Sequence, residues 1–174
     1  MKIFKIFLYG FFGLLGLFLI IAFFLPRESV TKRSVSINAA QGKVFTFVNA
    51  MQAQNLWSPW IDGDPKMKNT FSGPATGAGN RNCWSGNEKV GIGCQTILSI
   101  KDSSEVAMLI DFKQPFESRA NAFIALKATS ATTTEVTWSM KFDTPYPFNA
   151  FSLMSDAIGP EFEKGLIRLK NLCE

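Results

Sequence analysis

The sequence contains no histidine, which removes the side chain most used as a general base near neutral pH and the commonest zinc ligand. Few reactive groups remain. Ser58, Ser85 and Cys83 would need an activating base beside them to act as nucleophiles. Asp111 and Glu117 fall near a strand end and a turn, and paired-carboxylate catalysis requires two such groups to converge in a cavity. Asp62 and Asp64 resemble the start of a calcium loop, but the later acidic positions of that motif are missing, so they read as turn residues beside Pro65. The cysteines at 83, 94 and 173 lack Cys-x-x-Cys spacing, which argues against a zinc site. Gly91-x-Gly93 lacks the third glycine and following helix of a dinucleotide loop; a strand bend or close backbone approach suits it better. No catalytic residue, metal ligand or cofactor is expected from this set.

Two tryptophans three residues apart, in Trp57-Ser-Pro-Trp60, are better suited to binding than to bond making. Pro59 and Pro65 bar a regular helix there, so the pair sits on a structured turn. Either it faces a ligand or it plugs the open end of a sheet as core.

The elements that must position these groups follow from periodicity. From Phe148 the apolar residues Phe151, Met154, Ile158, Phe162, Leu166, Leu169 and Leu172 recur in steps of three or four, which predicts a long helix with one apolar face. Pro145 and Pro147 suit its entry, and Gly159-Pro160 predicts a kink or two abutting helices, since Pro160 has no amide to donate. Between Val30 and Met140 the chain reads mainly as strands. The exceptions are a helix over 40–50, with Asn38 available as its cap, and a short one over 51–56. The first strand, near 30–37, has no strongly apolar face and suits a sheet edge. In the last strand Val136, Trp138 and Met140 share one face. The fold class is α+β: an antiparallel sheet of about seven strands wrapped round the C-terminal helix.

Ile6 to Leu25 is twenty residues without a charge, which at ~1.5 Å per residue matches the ~30 Å core of a bilayer. A cleaved signal peptide would have a shorter apolar core and small residues ahead of the cut; Ala22-Phe-Phe-Leu-Pro26 is bulky there, which favours a retained anchor. Residues 1–26 are assigned as a single-pass transmembrane anchor and 27–174 as one soluble domain. Lys2 and Lys5 nearly balance Arg27, Lys32 and Arg33 across the span. The short N-terminal tail favours placing the domain outside the cytoplasm, which in a bacterium is the periplasm. Eighteen Lys and Arg against fourteen Asp and Glu give a net +4; two of the eighteen precede the anchor, and the rest are dispersed, which gives no support to nucleic-acid binding.

The element order and several strings resemble the SRPBCC superfamily, the START-like or helix-grip fold, and within it the bacterial polyketide-cyclase/lipid-transport branch. The strings are Trp57-Ser-Pro-Trp60 with Asp64-Pro65, Trp84-Ser-Gly-Asn87 with Val90-Gly-x-Gly93, Phe112-x-x-Pro115, Thr134-Glu-Val-Thr-Trp138, and Gly159-Pro-Glu-Phe-Glu-Lys-Gly165 with Leu169-Lys170. The resemblance implies binding of a hydrophobic or lipid-like molecule in a cavity under the C-terminal helix. The expected cavity residues are Trp57, Trp60, Phe71, Trp84, Ile110, Phe112, Trp138, Met154, Ile158 and Phe162, with Asn82 and Gln95 as polar members. The alternatives are an interaction module with a self-filled core and, more weakly, a cyclase-type enzyme.

Cys83 and Cys94 add one more expectation. If the hairpin turns at Glu88-Lys89, the two lie directly opposite each other and on the face away from Trp84, close enough for a disulfide after small adjustment. An oxidising compartment would retain it; a cytoplasmic domain would keep two free thiols.

Overall fold

The computed structural model describes residues 2–174, leaving out the side chains at 2, 151, 152, 154 and 155. An apolar helix, α1 (Lys2–Phe24), leads through three residues into β1 (Glu28–Ile37). Two short helices follow, α2 (Gln41–Thr46) and α3 (Met51–Asn55), then a 3-10 turn at Pro59–Asp62. Six strands come next: β2 (Lys68–Ser72), β3 (Arg81–Ser85), β4 (Ile92–Lys101), β5 (Glu105–Gln114), β6 (Ser118–Ser130) and β7 (Thr133–Asp143). A 3-10 segment, Phe148–Ile158, leads into α4 (Gly159–Cys173).

The strands form one antiparallel sheet in the order β1-β7-β6-β5-β4-β3-β2. From β2 to β7 each strand pairs with its sequence neighbour, and β1 closes on β7, Glu28 opposite Asp143 and Ile37 opposite Thr134. β1 is an edge, as its weakly apolar faces imply. Register shifts at Ile92/Gly93 and Ile97/Ser99 bend β4, and such bulges sharpen the local twist, so the sheet curves round α4. This is the helix-grip architecture.

α4 lies on the β1–β7 side. Phe162, Leu166, Leu169 and Cys173 are completely or almost completely buried, at spacings of three and four that form one stripe. Gly165 belongs to the same stripe: a Cβ there would meet Trp138 Cζ3 at 2.9 Å and Pro59 Cδ at 3.1 Å, so its missing side chain lets the helix sit close. Arg33 on β1 ties both pieces of the C-terminal segment to the sheet, donating to Asp156 (2.7 Å) and Glu163 (2.6 Å). Asp62 receives Arg168 through both carboxylate oxygens, at 2.8 and 2.7 Å, together with Lys164. Hydrogen bonds from Arg168 and then Lys164 hold the Asp62 carboxyl down at about 2.

Three local expectations are corrected. The apolar repeat before Gly159 is not α-helical: Phe148–Ile158 is a 3-10 segment, and a step of three suits that tighter coil as well as an α-helix. The expected helix over 40–50 ends at Thr46, and α3 begins separately at Met51. Asn38 does not cap α2; Ala40 holds the cap position without a side-chain bond, and the Asn38 N–H donates to Glu174 Oε1 at 2.8 Å.

Candidate ligand cavity

α4 covers only part of the concave face. Towards β2–β5 the space between sheet and connections is left open as a cavity of about 280 Å³. Strand parity supplies its floor: Asn69 on β2, Asn82 and Trp84 on β3, Gln95 on β4, Ile110 and Phe112 on β5, Met140 and Phe142 on β7. Asn55, Ser58, Trp60 and Ile158 roof it, and Met67, Lys89, Val90 and Pro115 come from the connections at one end, beside Gln114, the last residue of β5.

Two glycines shape the floor and mouth. Gly93 lies opposite Trp84, and a Cβ on it would stand 2.6 Å from the indole, so the ring lies flat over the bare backbone. Gly91 has φ +67° and passes so close to the Gln114 carbonyl that no side chain fits between them. The hairpin and the β5–β6 turn therefore touch at the mouth. Trp84 is fixed from the other side, Nε1 donating to the Val90 carbonyl at 3.1 Å.

The walls are aromatic. Trp84 meets Phe112 edge-on at 5.9 Å, and Phe112 stacks on Phe142 at 6.5 Å. The inner end is polar but carries no charge. Asn82 Nδ2 donates to Asn69 Oδ1 at 2.8 Å, and Gln95 Nε2 to Gln54 Oε1 at 3.2 Å; Gln54 in turn donates to the Val48 carbonyl at 2.7 Å. Among the described residues three buried side-chain atoms have no hydrogen-bond partner, and two of them are here: the acceptor Asn82 Oδ1 and the donor Trp138 Nε1; the third, Asn149 Oδ1, lies beside α1. Asn82 and Trp138 border a second void of about 40 Å³, which shares Asn55, Ser58, Trp60, Asn82 and Gln95 with the main cavity. An unpaired buried polar atom costs about 1–3 kcal/mol, so this end favours a guest that both donates and accepts.

Trp60, Asn82, Trp84, Gln95, Ile110, Phe112 and Ile158 thus come together in the cavity. Four other expected members do not line it. Trp57, only 2% exposed, packs edge-on against Trp138 at 5.2 Å and donates from Nε1 to the Phe47 carbonyl. Trp138 stacks on Phe162 at 4.2 Å and is sealed beneath α4, so Trp57 and Trp138 reach only the smaller void and Phe162 reaches neither. Phe71 packs against the core from β2. The Met154 side chain lies outside those described. Met140 and Phe142 were legible from the parity that includes Trp138, and Gln114 from that of Ile110 and Phe112; Lys89 and Pro115 sit on connections, where no periodicity marks a facing side.

Among the described lining residues none is a carboxylate or a thiol, and Lys89 at the mouth is the one formal charge. Asp111 pairs with Arg119 at 2.7 Å, and Glu117 is exposed. Cys83 and Cys94 face each other across β3 and β4, Cα atoms 4.0 Å apart, and are joined by a disulfide. Cys173 is free and buried in the core, and burial pushes its thiol up.

No family model matches the sequence, and no curated protein matches it. Solved structures do. A Thermobifida fusca protein determined by NMR is 20% identical over 81% of this chain and 90% of its own, with a TM-score of 0.60. Zhui aromatase/cyclase from a Streptomyces species is 12% identical over 84% and 93%, TM-score 0.60. Ara h 8.0201 is 12% identical over 83% and 99%, TM-score 0.56. At such identities the likeness speaks for the fold: the chain has the helix-grip, SRPBCC-like fold, with an apolar helix in front of it.

Proposed function

We propose that the protein is a membrane-tethered binding protein for a small, uncharged, amphipathic molecule of lipid-like character. The observation that carries this reading is the cavity: aromatic and aliphatic walls, an inner end of neutral amides, and unpartnered buried Asn82 Oδ1 and Trp138 Nε1 beside it. A mostly apolar pocket with a few convergent polar groups is the usual form of a ligand site. At about 280 Å³ it stands just below the ~300–1,000 Å³ of drug-sized ligand sites, so a small guest fits and a longer one extends through the mouth. A charged head has no counter-charge inside and would lose its hydration. The same lack of titratable groups in the lining favours binding over acid–base catalysis.

Tethering is supported by α1, whose apolar side chains are exposed along its length, Ile3, Phe7, Phe12, Leu14 and Phe23 among them. Lipid is the solvent that such a helix suits. The Cys83–Cys94 bond supports a domain on the oxidising side of the membrane.

Native mass spectrometry of the full chain released from micelles tests the binding reading. The expected spectrum contains a complex whose extra mass is extracted by organic solvent. A ligand-free species that also takes up no fatty acid or fluorescent lipid would favour a self-filled interaction module. Resistance of the full chain to carbonate extraction, and an 83–94 cross-linked peptide in a non-reducing map of protein from its native membrane, are expected for the anchor and the exported domain.

A further inference from the structure

We infer that the cavity mouth is held face-down on the bilayer that α1 enters, so that its ligand passes between membrane and cavity without crossing water. This rests on the anchor reading and adds to it a docked surface made by the β5–β6 turn and the segment after β7.

The first argument is topological. The register pairs Glu28–Asp143, Phe142–Ala120, Ser118–Phe112, Gln114–Ile92, Ile92–Ser85 and Ser85–Lys68 run across all seven strands at one end of the sheet. β1 starts at that end, three residues beyond α1. Three residues reach at most about 10–14 Å, so the start of β1 stays within that distance of where the helix leaves the membrane, and β5, three strands further along the same end at ~4.8 Å per strand, lies ~14 Å beyond it. The opposite end, at the β6–β7 turn, points away.

The second argument is the opening itself. Of the described lining residues, Lys89, Gln114 and Pro115 are exposed and the others are half-buried or buried. Lys89 lies on the β3–β4 hairpin, Gln114 ends β5 and Pro115 opens the turn after it, all at the near end. The cavity therefore meets the outside towards α1 and not towards the distal end.

The third argument is the contact between anchor and domain. Asn149, 2% exposed, donates from Nδ2 to the Ala22 carbonyl (2.6 Å), which also accepts from the Leu25 N–H at 3.3 Å, and to the Leu25 carbonyl (2.8 Å), supplying donors at a helix end where intrahelical ones run out. Tyr146 Oη reaches the Leu19 carbonyl at 3.5 Å, five residues before the end of α1 and so about 8 Å along its axis. The segment after β7 therefore runs alongside the last turns of α1, at the depth where tyrosine gathers in membrane interfaces.

The fourth is the distribution of exposed aromatic side chains. Outside α1, the exposed aromatic residues among those described are Phe116 (81%), Tyr146 and Phe148, all at this end, whereas exposed aliphatic residues such as Leu56, Leu98, Ile167 and Leu172 are spread over the domain. Exposed rings gathered at one end mark a surface that is covered in use. Arg27, Lys66, Lys68, Lys89, Lys113, Arg119 and Lys141 there are nearly balanced by Glu28, Asp64, Glu88, Asp111, Glu117 and Asp143, so burial of apolar groups, and not attraction to anionic lipid, is the drive.

Nitroxide labels test this in the full chain reconstituted into zwitterionic vesicles. Single cysteines are placed by Gly13→Cys in α1, Phe116→Cys at the mouth and Thr132→Cys at the distal turn, with Phe148→Cys as a second mouth position; buried Cys173 and the oxidised pair remain unlabelled. Each label is read by its accessibility to oxygen, which concentrates in lipid, and to a nickel chelate, which stays in water. Docking requires positions 13, 116 and 148 to favour oxygen and 132 to favour the chelate. If 13 favours oxygen while 116 and 148 match 132, the anchor stands and docking is overturned. If 13 itself favours the chelate, the anchor reading fails and docking fails with it.

Discussion

Two aromatic triads sit on the same concave face, built alike and used differently. Trp57, Trp138 and Phe162 make one edge-on contact and one stack, with centroids 5.2 and 4.2 Å apart. Trp84, Phe112 and Phe142 also make one edge-on contact and one stack, at 5.9 and 6.5 Å. The first triad is sealed by α4, which Gly165 allows to close upon it. The second has no helix over it and faces an open cavity. β7 runs through both, Trp138 in one and Phe142 in the other, so residue type and strand parity do not separate them. What separates them is whether another element covers the ring, and that is decided by residues far away in sequence.

The comparison can be broken most severely at Phe162. Phe162→Ala removes the ring that closes the filled triad and is expected to cost ~3–5 kcal/mol, read by denaturant unfolding of the chain in micelles, while the folded fraction keeps its ligand. Loss of ligand with stability intact would place Phe162 in the cavity wall and erase the distinction between the triads.

The next effect belongs to the open side. Trp84 stands on a hairpin held by Cys83–Cys94, and in the chain-entropy model so short a loop contributes ~2–3 kcal/mol. Replacing both cysteines by alanine should lower the unfolding free energy by that amount, moving the denaturation midpoint down, and weaken ligand retention. An unchanged midpoint would mean that the bridge does not hold the hairpin.

Phe112→Ala should cost less, about 1–2 kcal/mol, because the ring is only partly buried, but it should lower ligand affinity more than Phe162→Ala does. Equal stability losses for the two phenylalanines would show that both halves are packed alike.

The smallest effect is a pH dependence on the filled side. Asp62 is held at about 2, below its ordinary 3.8, by Arg168 and Lys164. A depressed carboxyl contributes stability that is fully present above the ordinary value and is lost as pH falls towards the depressed one. Between pH 4 and about 2 the native chain should therefore lose stability more steeply than Asp62→Asn. Parallel curves would remove this ion pair from the grip on α4.

Much of this architecture was readable from the residues. The stripe Phe162, Leu166, Leu169 has the period of a helix, and the alternation of β7 and the opposition of Cys83 and Cys94 follow from strand geometry. The limit was reached where periodicity stops being informative. Parity tells which side of the sheet Trp138 and Phe112 occupy, but not that α4 fills the space over one and leaves it empty over the other. The Phe148–Ile158 repeat fits two kinds of helix, and the mouth residues Lys89 and Pro115 owe their positions to turns. The unpartnered Trp138 Nε1 could not have been found from sequence, because it is defined by what fails to approach it.

The pairing of β1 with β7 has a consequence for biosynthesis. Glu28 and Asp143 are neighbours in the sheet but lie at opposite ends of the domain's sequence, and contacts of that kind form late because their loop-closure cost must be met first. The strand next to α1 leaves the ribosome before any other and has no partner in the sheet until β7 follows. During that interval an edge strand waits with its backbone unpaired, and unpaired edges are where newly made chains associate wrongly. The charged and hydroxylated residues of β1, from Thr31 through Ser36, suit a strand that must wait exposed.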